Sequence, residues 1–181
     1  MKSSVLRFPL VLVASVSVGL LGTLGAGAQE KKKLLYRVSA ENTKYTQQHT
    51  IDVGDVPGHQ IRIYEIHRVF PNDTASYDGV QVKEQWVRAY SDYTDLNGPS
   101  TVYSITMLEN GDKIFSRGEL ISQTVTNPDG SRRTTSLTVS RFTGGTGKFL
   151  GIQGTSKSVT TSDIKAGINE NQVETEYWIA K

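Results

Sequence analysis

The sequence contains no cysteine. This absence excludes disulfide bonds, thiol nucleophiles and thiolate metal sites. A domain without disulfide bonds must be held together by its hydrophobic core, and a domain of about 150 residues buries roughly 68–70% of the surface that its unfolded chain exposes. The length of 181 residues therefore indicates a single domain with a core of its own.

Histidine is scarce, and common signatures of metal and nucleophile sites are missing. The histidines are His49, His59 and His67. Glu65 and His67 could offer two ligands on one strand face, but a catalytic zinc needs a third ligand from elsewhere. No serine stands in the G-x-S-x-G pattern of a nucleophile elbow. We therefore predict no metal site and no cofactor.

The chain also lacks an excess of either charge. Its formal net charge is +2, and charged residues make up 21% of it. A domain that binds nucleic acid or an acidic surface usually carries a clustered basic excess, which this composition does not provide. We therefore expect no nucleic-acid partner.

A long apolar run is present at the N-terminus. Lys2 and Arg7 precede a stretch with few polar residues that covers residues 9–24. Ala26-Gly27-Ala28 then supplies the small residues of a cleavage site. This order of features predicts that residues 1–28 are a signal peptide. The protein is then expected to be exported, to the periplasm or the medium, with no membrane contact after cleavage.

Cleavage after this segment would make Gln29 the first residue of the mature chain. Removal of the two N-terminal cations leaves 18 basic and 18 acidic residues, so the mature protein is formally neutral. The alternative is an uncleaved anchor, because residues 8–28 are uncharged and just long enough to span a bilayer. Residues 29–43 begin with a charged run and are predicted to be a flexible leader.

The rest of the chain, residues 44–181, is predicted to be one all-β domain. No window shows an apolar stripe of helical spacing, whereas segments rich in Val, Ile, Thr and Tyr alternate with turn formers. Asn110-Gly111 and the tetrapeptide at 127–130 are tight-turn signals. The predicted strands are Tyr45–Asp52, His59–Phe70, Val80–Tyr90, Thr101–Leu108, Lys113–Thr126, Arg132–Phe142, Lys148–Thr161 and Gln172–Ile179.

Eight long strands joined by short turns favour a closed antiparallel barrel of the calycin-like kind. Closure removes the long sheet edges that would otherwise be exposed. A sandwich of two sheets is the alternative. The interior of an eight-stranded barrel can be filled by side chains or can hold one small ligand.

The stretch GGTGKFLGIQG, from Gly144 to Gly154, raises the question of a phosphate-binding loop. A Walker A loop requires a glycine five residues before Gly147 and a Ser or Thr after the lysine, but Phe142 and Phe149 occupy these positions. Strand formers follow instead of a helix. Glycines of this kind mark bends and close backbone contacts in a strand, and Lys148 is then expected to be an ordinary solvated side chain.

The segment FTGGTGKFLGIQGTSKS, preceded by GDKIFSRGEL and followed by EYWI, resembles the glycine-rich strand pair of the allene oxide cyclase and dirigent proteins. The matching positions are Gly144, Gly145, Thr146, Gly147, Phe149, Gly151 and Gly154. The resemblance covers residues 80–181, and the upstream segment QQHTIDVGDVPGHQIRIYEIHR suggests an exported bacterial branch of this superfamily. It implies an eight-stranded antiparallel barrel with a hydrophobic cavity, in which family members direct cyclisation or radical coupling of small apolar molecules without a cofactor.

Strand alternation suggests candidate ligand-binding residues. In His59–Phe70 the odd-numbered residues are the more aliphatic set, which predicts that Glu65 and His67 face the interior. In Val80–Tyr90 the even-numbered set has the same character and carries Glu84, Trp86 and Arg88 with it. Charged groups on an apolar face are costly to bury unless they are paired, so they indicate either a polar spot in a cavity or a structural ion pair.

Two functions remain open from the sequence. The first is a non-catalytic exported barrel that binds a small hydrophobic molecule or a partner in or on the barrel. The second is a cofactor-free cyclase or isomerase of the allene oxide cyclase and dirigent type, which would use a carboxylate in the cavity as general acid or base. Catalytic residues are not assigned in either case.

Overall fold

The computed structural model describes residues 30–71, 75–163, 166 and 168–180. The predicted signal peptide, residues 1–28, lies outside the described residues. Ten strands are found in the described part, with single 3-10 turns at Ala40–Asn42 and Gly147–Phe149. The strands are β1 (Lys32–Val38), β2 (Thr43–Asp52), β3 (His59–Val69), β4 (Ser76–Tyr77), β5 (Val80–Thr94), β6 (Gly98–Leu108), β7 (Lys113–Thr126), β8 (Arg132–Gly145), β9 (Ile152–Asp163) and β10 (Ile168–Ile179). Within these residues, no helix is long and apolar enough to cross a membrane.

The strands form one antiparallel sheet in the order β1-β10-β9-β8-β7-β6-β5-β3-β2, and the short β4 pairs with β5. All ten strands contribute to the lining of one cavity, so the sheet curls into a barrel. The expected closure is not seen, because β1 and β2 do not pair with each other among the described residues. Nine of the ten residues of β2 are exposed, so burial contributes little to drive such pairing.

The positions of the predicted strands are confirmed. Each of the eight predicted segments overlaps one long strand, and β7 has the predicted bounds. Both turn signals are also confirmed. Gly111 has a φ of +87°, and its amide donates to the carbonyl of Leu108. Gly130 has a φ of +79°, and its amide donates to the carbonyl of Asn127 at 2.9 Å.

Two strands lie outside the eight predicted segments. The first is β1, which falls within residues 29–43, the stretch assigned to a flexible leader. It pairs with β10 over seven residues, and Val38 at its end is only 2% exposed. The run of lysines at its start conceals an alternation in which Leu34, Tyr36 and Val38 are more buried than their neighbours. The barrel therefore begins before residue 44. The second added strand is the two-residue β4.

One end of the barrel is filled by a hydrophobic cluster. Its members are Val38, Phe70, Ala75, Tyr77, Val82, Leu108, Ile114, Phe149, Ile152 and Tyr177. Phe149, from the glycine-rich segment, is fully buried. Tyr77 and Ile114 belong both to this cluster and to the lining of the cavity, so the cluster forms the floor of the cavity.

The glycine-rich segment is a site of bends and close packing, as predicted. Gly147 has a φ of +51°, and a Cβ there would overlap the carboxylate of Asp112. Gly151 has a φ of +80° and lies against the backbone of Ala180, whose carbonyl oxygen would be 3.0 Å from an added Cβ. Both conformations are ones that side chains with a Cβ rarely adopt.

A carboxylate from the turn between β6 and β7 contacts this segment, where a phosphate loop would need free amides. The backbone amide of Lys148 donates to Oδ2 of Asp112 at 3.1 Å. Lys148 is partly exposed to solvent, as expected, but its Nζ also donates to the carbonyl oxygen of Asp78 at 2.6 Å and lies 3.2 Å from the Asp78 carboxylate. This lysine therefore ties the glycine-rich segment to the turn between β4 and β5.

The predicted face assignment of β3 is wrong. The residues that face the cavity are the even-numbered ones, of which Tyr64 and Ile66 are 8% and 7% exposed. The odd-numbered Ile63 is 58% exposed. The interior face of β3 was predicted by counting aliphatic residues. That criterion failed because the interior face carries Arg62 and Arg68, which line the cavity beside Tyr64 and Ile66.

In β5 the face assignment fails for a different reason. Val82 pairs with Leu108 and Glu84 with Met107, so Lys83 is an extra residue and forms a β-bulge. A bulge reverses the alternation of faces. Val82 is therefore in the core at 3% exposure, whereas Glu84 and the even-numbered residues after it face outward.

Candidate functional site

The barrel encloses a cavity of about 680 Å³, which lies above the hydrophobic floor. Its size falls in the range of pockets that hold small molecules, about 300–1,000 Å³. The resemblance to the allene oxide cyclase and dirigent proteins implied a hydrophobic cavity, but much of this lining is polar. Two parts of the lining carry the chemistry: a wall of hydroxyl groups and a cluster of aromatic and cationic side chains.

The hydroxyl wall consists of four successive inward-facing residues on β8 and four on β9. Its members are Thr134, Ser136, Thr138, Ser140, Ser156, Ser158, Thr160 and Ser162. The register of the two strands places them in four directly opposed pairs, for example Thr138 with Ser158. The wall continues onto β7, where the hydroxyl of Ser122 lies 3.1 Å from that of Ser136. A ligand in the cavity would meet a regular array of donors and acceptors on this side.

The hydroxyl wall forms because the alternation on β8 and β9 is inverted. Leu137 and Val139 on the outer face are each 47% exposed, and Val159 is 42% exposed. The sequence signal was present, since Ser or Thr occupies every second position from 134 to 140 and from 156 to 162. Sequence reasoning missed it because an aliphatic face is normally assigned to the interior.

The tyrosine–arginine cluster consists of Tyr36, Tyr45, Tyr64 and Arg68. All four line the cavity, and the guanidinium of Arg68 interacts electrostatically with the three phenols. The rings of Tyr45 and Tyr64 have centroids 5.7 Å apart. Burial raises the pKa of Tyr36 and of Tyr64, so both phenols stay protonated at neutral pH and can donate hydrogen bonds.

Arg68 has only part of its hydrogen-bonding capacity used. Its Nη1 donates to Oε1 of Gln85 at 3.1 Å, and Nε2 of Gln85 donates to the hydroxyl of Thr106 at 3.1 Å. The Nε atom of Arg68 is buried and has no hydrogen-bond partner. A buried donor without a partner is unusual in a folded protein.

A second unpartnered polar atom lies in the same lining. Asn171 is 3% exposed, and its Nδ2 donates to the hydroxyl of Thr160 at 2.7 Å. Its Oδ1 is buried and accepts no hydrogen bond. Two residues that line the cavity therefore each hold one buried polar atom without a hydrogen-bond partner.

The charge of the lining is one-sided. Arg62 and Arg68 contribute to it, and none of the described lining residues is Asp, Glu, His or Lys. The guanidinium of Arg62 lies over the ring of Tyr93, 6.0 Å from its centroid. Within the part of the chain that the structure describes, neither arginine forms an ion pair with a carboxylate.

The five residues predicted from sequence as ligand-binding lie on the outer face of the barrel. Glu65 and Arg88 are directly opposed on β3 and β5, with Oε2 and Nη2 2.8 Å apart. His67 lies 2.7 Å from Glu84, and its ring stacks on Trp86 at a centroid distance of 4.1 Å. The structure therefore brings the five together in one outer cluster, but the prediction that they face the interior is wrong.

This outer cluster has the form of the structural alternative that the sequence left open. Cross-strand charge pairs and stacked rings stabilise a sheet face. The hydroxyl of Thr46 adds a hydrogen bond of 2.6 Å to Oε1 of Glu65. Among the described residues, no group of three or more His, Asp or Glu is arranged to hold a metal ion.

Comparisons with known proteins bear on the fold. No protein-family model matches this chain, and no curated protein matches it. Among solved structures, pyocyanin demethylase aligns over 81% of this chain and 99% of its own, with a TM-score of 0.39 and 16% identity. A pterocarpan synthase dirigent protein aligns over 95% of this chain and 100% of its own, with a TM-score of 0.52 and 12% identity. This second likeness shows that the chain has a dirigent-like barrel fold.

Proposed function

We propose that this protein is an exported binding protein that holds one small molecule inside the barrel. The observation that carries the proposal is the cavity of about 680 Å³, whose lining contains both the hydroxyl wall and the tyrosine–arginine cluster. The hydroxyl, phenol and guanidinium groups of this lining can form hydrogen bonds with polar groups of a bound molecule. A small molecule with polar groups fits this lining better than a purely apolar one.

Binding is favoured over catalysis by the kinds of side chain in the cavity. A cofactor-free cyclase or isomerase would need a general acid or base beside its substrate. The carboxylates first considered for this role, Glu65 and Glu84, lie on the outer face. No described lining residue supplies another carboxylate or an imidazole.

The cyclase or isomerase remains the second candidate function. One observation favours it, namely that Tyr36 and Tyr64 stay protonated beside Arg68 and could donate hydrogen bonds to developing negative charge. The fold likeness to a protein named as a pterocarpan synthase is compatible with this candidate but shows the fold alone. Turnover of an added substrate would separate it from binding.

Mass spectrometry of the protein exported by its own cells tests the proposal. Under native conditions we expect a species that is heavier than the polypeptide by one small molecule. Under denaturing conditions the polypeptide mass should correspond to a chain that begins at Gln29. A native mass equal to that of the bare polypeptide, from several growth conditions, would contradict ligand binding. A chain that begins at Met1 would contradict export with cleavage.

A further inference from the structure

The two arginines of the cavity give it a positive charge that nothing in the described lining balances. Burial of a charged group is costly unless an opposite charge or hydrogen bonds compensate it. Arg62 is compensated in part, because its guanidinium lies over the face of the Tyr93 ring. Arg68 forms no ion pair with a carboxylate among the described residues, and Gln85 supplies it with a single neutral acceptor.

The surroundings of Arg68 are suited to a planar anion. Its only side-chain hydrogen bond among the described residues is the one from Nη1 to Gln85, and a guanidinium can bind a carboxylate through two parallel hydrogen bonds. The tyrosine rings next to it provide flat apolar surfaces. Their hydroxyl groups are protonated and can add further donors toward an anion.

We propose that the ligand of the cavity is an organic acid with a planar or aromatic body, whose anionic group binds Arg68 at the tyrosine–arginine cluster. This inference rests on the proposed function and narrows it to a class of ligand. The body of the acid lies along the cavity toward the hydroxyl wall. Hydroxyl groups on the ligand can pair there with Ser and Thr side chains.

A pair of fluorescent probes tests this assignment. 8-Anilinonaphthalene-1-sulfonate is an aromatic anion, and N-phenyl-1-naphthylamine is nearly the same molecule without the sulfonate. We expect both to bind the wild-type protein at one site. Arg68→Gln should weaken binding of the sulfonate by about tenfold or more, since a hydrogen-bonded charge is lost, and should change binding of the neutral probe by less than about twofold.

The matched control is Arg88→Gln on the neighbouring strand. Arg88 is exposed on the outer face and pairs with Glu65, so its loss should leave both probe affinities unchanged. If Arg68→Gln does not fold, the assignment can still be tested on the wild-type protein by competition. On the wild-type protein, 4-hydroxybenzoate should displace the neutral probe at a concentration at least about tenfold lower than methyl 4-hydroxybenzoate does.

The outcomes separate the two proposals. If both probes bind but Arg68→Gln affects them equally, or if the ester competes as well as the acid, the cavity binds small molecules and the acid assignment is wrong. If neither probe binds the folded wild-type protein, the proposed function itself fails. If Arg68→Gln loses affinity for the anionic probe alone, the result supports both the binding function and the organic-acid assignment.

Discussion

Arg68 and Gln85 meet inside the barrel, where Nη1 of the arginine donates a hydrogen bond of 3.1 Å to Oε1 of the glutamine. The two residues are directly opposed on β3 and β5. The structure thus gives the buried cation a neutral neighbour at a position where a carboxylate would fit equally well. This arrangement leaves the charge of Arg68 available to a ligand.

Gln85→Glu should therefore abolish the preference of the cavity for anions. An internal carboxylate beside Arg68 would neutralise it and form the bidentate pair that we assign to the ligand. We expect affinity for the anionic naphthalene probe to fall by about tenfold or more, with the neutral probe affected by less than about twofold. Unchanged affinity for the anionic probe in a folded Gln85→Glu protein would show that Arg68 is not the anion site.

Replacement of the outer carboxylates should not affect binding. Glu65→Gln and Glu84→Gln alter side chains on the face opposite to the cavity, so we expect the affinities of both probes to remain within about twofold of wild type. Loss of the cross-strand pairs should reduce stability by no more than about 1 kcal/mol. Fluorescence titration and urea denaturation measure the two quantities. A large loss of probe binding in either variant would return these residues to the candidate site.

Substitution of the glycines in the bent segment should destabilise the fold. We expect Gly147→Val and Gly151→Val each to lower the free energy of unfolding by at least about 1 kcal/mol, because both glycines have positive φ and close neighbours. Gly130→Val is the control, since its φ of +79° is similar but nothing lies within 4 Å of an added Cβ. The loss should be larger for Gly147→Val than for Gly130→Val. Thermal melts that match the wild type would rule out this account.

Stability should depend on the protonation of His59. Its Nε2 lies 2.7 Å from Asp92 and its Nδ1 lies 2.6 Å from Asp55, and these two contacts raise the pKa of His59 above its ordinary value of 6.5. A raised pKa means that the protonated form stabilises the fold. This contribution is complete below pH 6.5 and is lost as the pH rises through the folded-state value.

The free energy of unfolding in urea should therefore fall as the pH increases above 6.5. His59→Gln should remove this part of the pH dependence, and Asp92→Asn should reduce it because one acceptor remains. The measurement is a series of urea denaturations between pH 5.5 and pH 9, the range being chosen around the ordinary pKa of histidine. If the free energy of unfolding changes with pH equally in the wild type and in His59→Gln, His59 is not the group responsible.

The strands could be predicted from the sequence because their signals are local. β-branched and aromatic residues between turn formers located β2, β3 and the later long strands, and Asn110-Gly111 located a hairpin turn. β1 was missed because its first residues are lysines. Its place in the sheet depends on pairing with β10, more than 130 residues away in the chain.

The site could not be predicted, because it depends on which face of each strand is interior. The bulge at Lys83 reverses the faces of β5, and a single-residue insertion of this kind leaves no clear mark in the sequence. On β3 and β8 the interior side is the polar one. The usual rule would place an aliphatic side chain such as Leu137 inside, whereas in this barrel the cavity is lined by its neighbours Ser136 and Thr138.

The proposal that a small molecule occupies the interior is tested most directly by filling the cavity. Ser158 faces the cavity and the next residue, Val159, faces outward at 42% exposure. Titration of N-phenyl-1-naphthylamine into Ser158→Phe, with Val159→Phe as the matched control, compares the same substitution on the two faces. We predict saturable binding at one site for the wild type and Val159→Phe, and its loss in folded Ser158→Phe. Wild-type affinity in Ser158→Phe, or loss of binding in Val159→Phe alone, would contradict binding inside the barrel.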